Sequence, residues 1–252
     1  MPIACEFIEN PGERHDKQDC EIKAFHRLAA KLRRQFPQTP FWLLLDALHA
    51  DQNVMRVCRN NGWNFAITFL DSDVPALWAE AQRVLALSPV QRVRGRPPDG
   101  GTRTVRWVND LDYHGMELSA VFQTRTDEEG QLVQQCAHLI GRPINHENAW
   151  NVATSARQRW RCENEGFNVL KNGGSALEHV YRRNPNAAKG YVRLMLCAHT
   201  IQQLLTRGRL GSVFRDAFAT FLVYGRELLE ALKYHRLPVD LDPPGQIRLS
   251  TA

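Results

Sequence analysis

The six cysteines of this 252-residue chain form no C-x-x-C pair, which argues against a zinc knuckle or a disulfide framework. No window reaches the roughly 18 consecutive apolar residues that a membrane helix needs. The opening segment MPIACEFIENPGERHDKQDCE has no basic start followed by an apolar run, so neither a secretory signal nor a transit peptide is expected. Neither G-x-x-x-x-G-K-[ST] nor G-x-G-x-x-G occurs, which removes the phosphate-cradling loops of nucleotide-binding proteins. No repeat at a fixed period and no low-complexity segment is visible, so solenoids and arrays are excluded as well.

What is present is an ordinary globular composition, 43% hydrophobic and 23% charged. Thirty-two Lys and Arg against 27 Asp and Glu leave a net charge of +5, which suits a polyanionic partner without requiring one. The expected location is the cytoplasm, with no membrane association.

Apolar spacing outlines an α/β protein. PIACEFI (residues 2–8) is expected to be a short strand. From Asp19 to Phe36, Ile22, Phe25, Ala29, Leu32 and Phe36 recur in steps of three and four, one face of a helix that Pro37 ends. The run FWLLL (residues 41–45) lacks polar alternation, as expected of a strand buried on both faces, and Asp46 closes it. A helix over 52–61 follows, with Asp51 as N-cap and Gly62 as stop. A second strand over 63–69 then completes a parallel strand–helix–strand unit.

A third helix is predicted over 74–87. The segment SPVQRVRGRPPDGGTRTVRW is expected to be an exposed basic loop, whose Arg92, Arg94, Arg96 and Arg103 are either solvated or DNA-phosphate contacts. Strand-like pieces separated by DYHG and DEEG predict an antiparallel insertion. The remainder is helical, with one face made of Leu194, Ala198, Ile201 and Leu205 and another running from Phe214 to Leu232. The tail from Pro238 is expected to fray. The expected organisation is a core over 1–100, a β-rich insertion over 101–145, a helical part over 146–236 and a flexible tail over 237–252.

The stretch ARQRWRCENEGFNVLKNGG (Ala156–Gly174) holds the most informative residue. On an ideal helix advancing about 100° per residue, with Trp160 at zero, Ala156, Phe167 and Leu170 form one apolar arc. Glu163 falls inside that arc and Glu165 on the opposite side. An inward carboxylate is costly unless paired or metal-bound. Glu163 is therefore either the partner of Arg159 in an ion pair or a metal ligand. Asp46 poses the same choice between a loop cap and a ligand, at the end of a strand where open α/β sheets place catalytic groups. Two such acids could hold Mg²⁺ (or Mn²⁺), which points to phosphoryl transfer on nucleic acid. His138 and His146 lack the partner set of a zinc site.

DKQDCEIKAFHRLAAKLRRQFP, then FWLLLDALHA, then RWRCENEGFNVLKNGG with LEHVY just after, together resemble the insertion-sequence transposases with a DDE, RNase H-like catalytic domain. The resemblance runs in order from about residue 3 to residue 206. It implies an RNase H-like mixed sheet flanked by helices, with Asp46 at the end of the family's fourth strand. It also implies that Arg159, Glu163 and Lys171 fill the Arg, Glu and Lys of a Y-R-E-K type signature. Ala156 stands where that signature has Tyr, and Lys171 comes one residue later than its commonest spacing.

The resemblance further implies that Asp46 and Glu163 are catalytic metal ligands, with Arg159 and Lys171 on phosphates. The basic residues Arg157 and Arg161 beside them, and Arg94 and Arg96 of the loop, are further expected DNA contacts. The implied partner is double-stranded DNA, both transposon end and target, and a homodimer is among the arrangements open to such a protein. The implied chemistry is Mg²⁺-dependent strand cleavage and strand transfer. In the family a first catalytic Asp lies on a strand upstream of what is PIACEFI here. Without that strand, the strand ending in Asp46 is expected to leave a long apolar unpaired edge and the chain to be inactive alone. The alternative is a DNA-binding remnant without catalysis.

Overall fold

The computed structural model describes residues 2–9, 19–97, 100–172, 177–178, 184–207 and 221–234. Helix α1 (Glu21–Gln35) buries Ala24, Phe25, Ala29 and Leu32, the stripe that its three-and-four spacing predicts. Strand β1 (Trp42–Leu45) then leads through a 3₁₀ turn (Ala47–His49) to α2 (Gln52–Asn60) and β2 (Asn64–Thr68). Asp51 caps α2 as expected, its carboxylate accepting from the backbone N–H groups of Asn53 at 2.7 Å and Val54 at 3.2 Å. Gly62, at φ +69°, ends the connection in a left-handed conformation. β1 and β2 run parallel in the register Leu44↔Ala66 and Leu45↔Ile67.

Helix α3 (Pro75–Leu87) precedes β3 (Arg92–Gly95), β4 (Thr102–Tyr113), β5 (Met116–Thr126) and β6 (Leu132–Ile140). These strands form an antiparallel meander, and β6 pairs antiparallel with β2 through Ala66↔Ile140, Ile67↔Leu139 and Thr68↔His138. The result is one six-stranded mixed sheet in the order β1-β2-β6-β5-β4-β3, flanked by helices. The expected insertion thus continues the same sheet.

One sheet face buries Ala66, Val105, Trp107, Val121 and Ile140 against α4 (Ala149–Ala156), through Ala149, Val152, Ala153 and Ala156. Each large side chain enclosed this way stabilises the fold by roughly 1.5–3 kcal/mol. On α3 and the sheet, Phe69, Trp78 and Phe122 stack edge-on or tilted, with centroids 4.9–6.1 Å apart. Approach of α4 is fixed by Asn109, beside the irregularity between Val108 and Leu111 in β4. Its amide donates to the Ile144 carbonyl at 2.8 Å and its carbonyl accepts from the Ile144 N–H at 2.9 Å.

After α4 come a 3₁₀ turn (Arg157–Arg159), a π-helical stretch (Cys162–Phe167), α5 (Asn168–Asn172), α6 (Pro185–Arg207) and α7 (Phe221–Tyr234). The chain divides into two compact units, Ile8–Cys162 with the whole sheet, and Met1–Phe7 with Glu163–Ala252. No described helix is long and apolar enough to cross a membrane.

Four expectations need correction. Residues 2–8 form no strand; a strand requires a hydrogen-bonding partner, and the segment instead lies along α6, where the Phe7 ring meets Arg193 at 5.3 Å and Lys189 at 5.9 Å. β1 is half-buried throughout, because it is an edge strand and not a central one. The supposed basic loop contains β3 and the start of β4, whose alternation the Pro and Gly content had masked. On α6, Leu194 and Ile201 are exposed while Met195 and His199 are buried, since a three-and-four spacing sets a period but not which of two adjacent stripes packs inward. The expectations for Phe214, Phe218 and the tail over 237–252 lie outside the described residues.

Gly101 sits at φ +74°, and a Cβ there would collide with the backbone carbonyl of Thr126. Replacing Gly101 with Ala should lower unfolding free energy by about 1–3 kcal/mol. Urea denaturation checks this, and an unchanged midpoint would contradict the described β4–β5 pairing at that end.

Candidate functional site

Asp46 lies immediately after the last residue of β1 and is half-buried. Its Oδ1 is 2.7 Å from Nδ1 of His49, one 3₁₀ turn later. His49 itself packs edge-on against Phe25, with centroids 5.6 Å apart. Capping of α2 falls to Asp51, so Asp46 does not perform it. An imidazole that fixes a carboxylate is also the arrangement that orients metal ligands from outside their first contact layer. His49 was not singled out from sequence; the D-x-x-H spacing, which joins side chains across one turn, is the signal that would have found it.

Register extends Asp46 into a row. Leu45 pairs with Ile67, so Asp46 comes level with Thr68, and Thr68 pairs with His138. The Thr68 hydroxyl also donates to the Leu45 carbonyl at 3.4 Å. Strand alternation puts Thr68 and His138 on the face that carries Ala66 and Ile140, which α4 covers. Beyond the end of α4 that cover gives way to Arg157, Arg159 and Trp160, which with Thr68, Gln134, Cys136 and His138 line a pocket. Arg157 and Arg159 are therefore brought to the carboxyl end of the parallel strands.

A second, smaller pocket adjoins it, lined among others by Arg103, Gln123, Arg125 and the shared Gln134, Cys136 and Arg157. Arg103, expected in a solvated loop, is 9% exposed. Its Nε donates to Gln123 Oε1 at 3.1 Å, its Nη1 to Thr154 Oγ1 at 3.0 Å, and its guanidinium stacks on Trp150 at 4.6 Å. Gln123 completes the network by donating to the Ala153 carbonyl at 2.7 Å. Sequence alone could not separate this arginine from its exposed neighbours, because strand parity there depends on the register of β4. Arg94 and Arg96 are exposed, on β3 and just after it, as a solvated or phosphate-contacting role expects.

The geometry around Glu163 differs from the ideal wheel. A 3₁₀ turn and then a π turn separate Ala156 from Leu170, and these wind at periods other than 3.6 residues, so angles accumulated at 100° per residue do not hold. Ala156 and Leu170 are buried, but Trp160 and Phe167 are 44% and 54% exposed, and Glu163, Glu165 and Arg161 are exposed. Glu163 thus does not face inward. It borders an open groove with Phe167, Asn168, Lys171 and Glu178, and Lys171 Nζ is 2.7 Å from Glu178 Oε1. Asp46 belongs to one compact unit and Glu163 to the other. Among the described residues no three His, Cys, Asp or Glu side chains are grouped so as to hold a metal ion.

Burial sets the electrostatics of the sheet pocket. It pushes the His138 imidazole down from 6.5 to about 4, with the charge of Arg159 adding to the effect. It raises the Cys136 thiol, against the opposing pull of Arg157 and Arg103. The Arg103 guanidinium is lowered by burial and then by the like charge of Arg157.

Compared with known proteins, the chain matches no family model and no curated sequence.

His138 makes acid stability testable. Its folded-state pKa lies below its unfolded value, so the folded chain binds fewer protons between about 4 and 6.5. The stabilisation is complete above pH 6.5 and is lost as pH falls through about 4. The wild-type chain should therefore lose roughly 3 kcal/mol more than H138Q between pH 7 and pH 4. Parallel pH profiles of the two proteins in denaturation experiments would contradict a buried neutral imidazole.

Proposed function

We propose that this chain acts on double-stranded DNA as a transposase of the DDE class, with an RNase H-like core built around β1, α2 and β2. In this assignment Asp46 and Glu163 are ligands of Mg²⁺ (or Mn²⁺), and the reaction is phosphodiester cleavage followed by strand transfer. The observation that carries it is the place of Asp46, at the carboxyl end of a parallel strand and in the same row as the pocket of Arg157 and Arg159. One further feature supports it: Glu163 lies in a π-helical stretch, an irregularity that recurs at functional sites.

The donors suit the ion, since Mg²⁺ prefers carboxylate oxygens and keeps several waters. When bound, it supplies charge stabilisation at phosphoryl oxygens and an activated water. His49 holds Asp46 in one orientation. Arg159 and Lys171 are assigned to phosphates, and Lys171 must exchange Glu178 for that partner. A DNA-binding protein without catalysis is the second reading, favoured by the exposure of Glu163 and by the lack of a three-donor group among the described residues.

Manganese titration of the chain and of D46A and E163A separates the two. Each substitution should weaken Mn²⁺ binding by about tenfold or more. If both variants become more stable and bind Mn²⁺ as the parent does, the metal assignment fails and the second reading stands.

A further inference from the structure

We infer that the paired pockets on the sheet face beyond α4 form an oxyanion site that seats one phosphate group, with Arg157 and His138 as its enclosed donors. The inference rests on the proposed DNA partner only for the source of that phosphate, a backbone phosphodiester. The chemistry of the site is independent of any metal at Asp46 or Glu163.

The two pockets are contiguous, sharing Gln134, Cys136 and Arg157. Among the described residues no Asp or Glu lines either of them. Neither Arg103 nor Arg157 has a carboxylate partner among the described residues, and the side-chain contacts of Arg103 are to neutral groups, the oxygens of Gln123 and Thr154 and the ring of Trp150. Two neighbouring guanidinium groups, one of them buried, thus repel each other without a carboxylate counterion among the described residues. Charge withdrawn from water is costly unless it is compensated.

Enclosed nitrogens sharpen the point. Nδ1 of His138 and Nε of Arg157 are both shielded from solvent and have no hydrogen-bond partner among the described residues, although buried polar atoms are nearly always paired. His138 is only 6% exposed, and it lines the larger pocket. An imidazole protonated on Nδ1 is a neutral donor there, and a guanidinium offers Nε–H beside its terminal N–H groups. The Thr68 hydroxyl and the Gln134 amide add neutral polar groups to the wall. A tetrahedral phosphate accepts from all of these directions at once, and the guanidinium fork matches its geometry. A cation would be repelled, and an apolar ligand would leave both nitrogens unsatisfied.

Sequence assigned no role to His138 and left Arg103 between a solvated loop residue and a phosphate contact. Their convergence is produced by the Thr68↔His138, Gln123↔Cys136 and Val105↔Gln123 pairings, which set both residues on the covered face.

The test uses the whole chain in EDTA, so that no metal site contributes. Inorganic phosphate is titrated while the histidine ¹⁵N signals are followed, and a 20-base-pair duplex is titrated against the parent, R157Q and H138N over a range of salt. Phosphate should shift the His138 Nδ1 resonance. R157Q and H138N should each weaken duplex binding by about 5–10-fold, with the salt dependence of R157Q reduced by about one phosphate contact. A phosphate response at His138 without duplex binding would keep the oxyanion site and overturn its DNA source. Duplex binding that R157Q and H138N leave unchanged, with a His138 signal that neither probe moves, would overturn the site while sparing the DNA partner. Should a variant fail to fold, the histidine signal of the parent chain decides alone.

Discussion

The antiparallel pairing of β2 with β6 is the joint on which the rest of the structure depends. It fuses a parallel strand–helix–strand unit to a three-turn meander and makes one sheet of what could have been two. That pairing brings Thr68 beside His138 and Ala66 beside Ile140, so the hydrophobic floor under α4 and the polar row beyond it follow from a single register. A slip of one residue would exchange the faces, sending His138 towards α2 and α3 and Leu139 into the arginine pocket.

The same joint explains why charge accumulates where it does. Helix α4 is short, eight residues from Ala149 to Ala156, and its small buried side chains let it lie close on the sheet. Where it stops, the sheet face continues through Thr68, His138, Cys136 and Gln134 under Arg157, Arg159 and Trp160. The tight turn over Arg157–Arg159 then folds guanidinium groups over that strip in place of hydrophobic side chains. Arg103 reaches it from β4, held by Gln123, Thr154 and the Trp150 ring. The polar network is well ordered on its donor side, and among the described residues no carboxylate pairs with Arg103 or Arg157, a combination that suits recognition of an anion better than core stabilisation.

Local chemistry made much of the first unit legible before any tertiary contact was known. The helix around Phe25 and Ala29, the Asp51 cap, the Gly62 stop and the two hairpin turns are all specified by residues within one or two turns of each other. Asp46 was legible for the same reason, as the polar residue that ends an unbroken apolar run. The Glu163 geometry was not, because a wheel assumes one helical period and the chain passes through 3₁₀ and π turns there. His138 was discounted for want of a zinc-like neighbourhood, since its real neighbours come from β2 and from beyond α4.

Sequence by itself determined the first three helices, the two hairpin turns, the parallel unit and the acid at its carboxyl end, because periodicity, caps and turn residues act over a few positions. Only the tertiary structure decided that β1 is an edge, that Arg103 is enclosed while Arg94 and Arg96 are exposed, that Glu163 lies outside the core, and that His138 faces Arg157 and Arg159. Each of those depends on which strands pair and in what register. That choice is made by long-range packing of whole faces, and a one-residue change in it inverts every side chain without altering the local pattern.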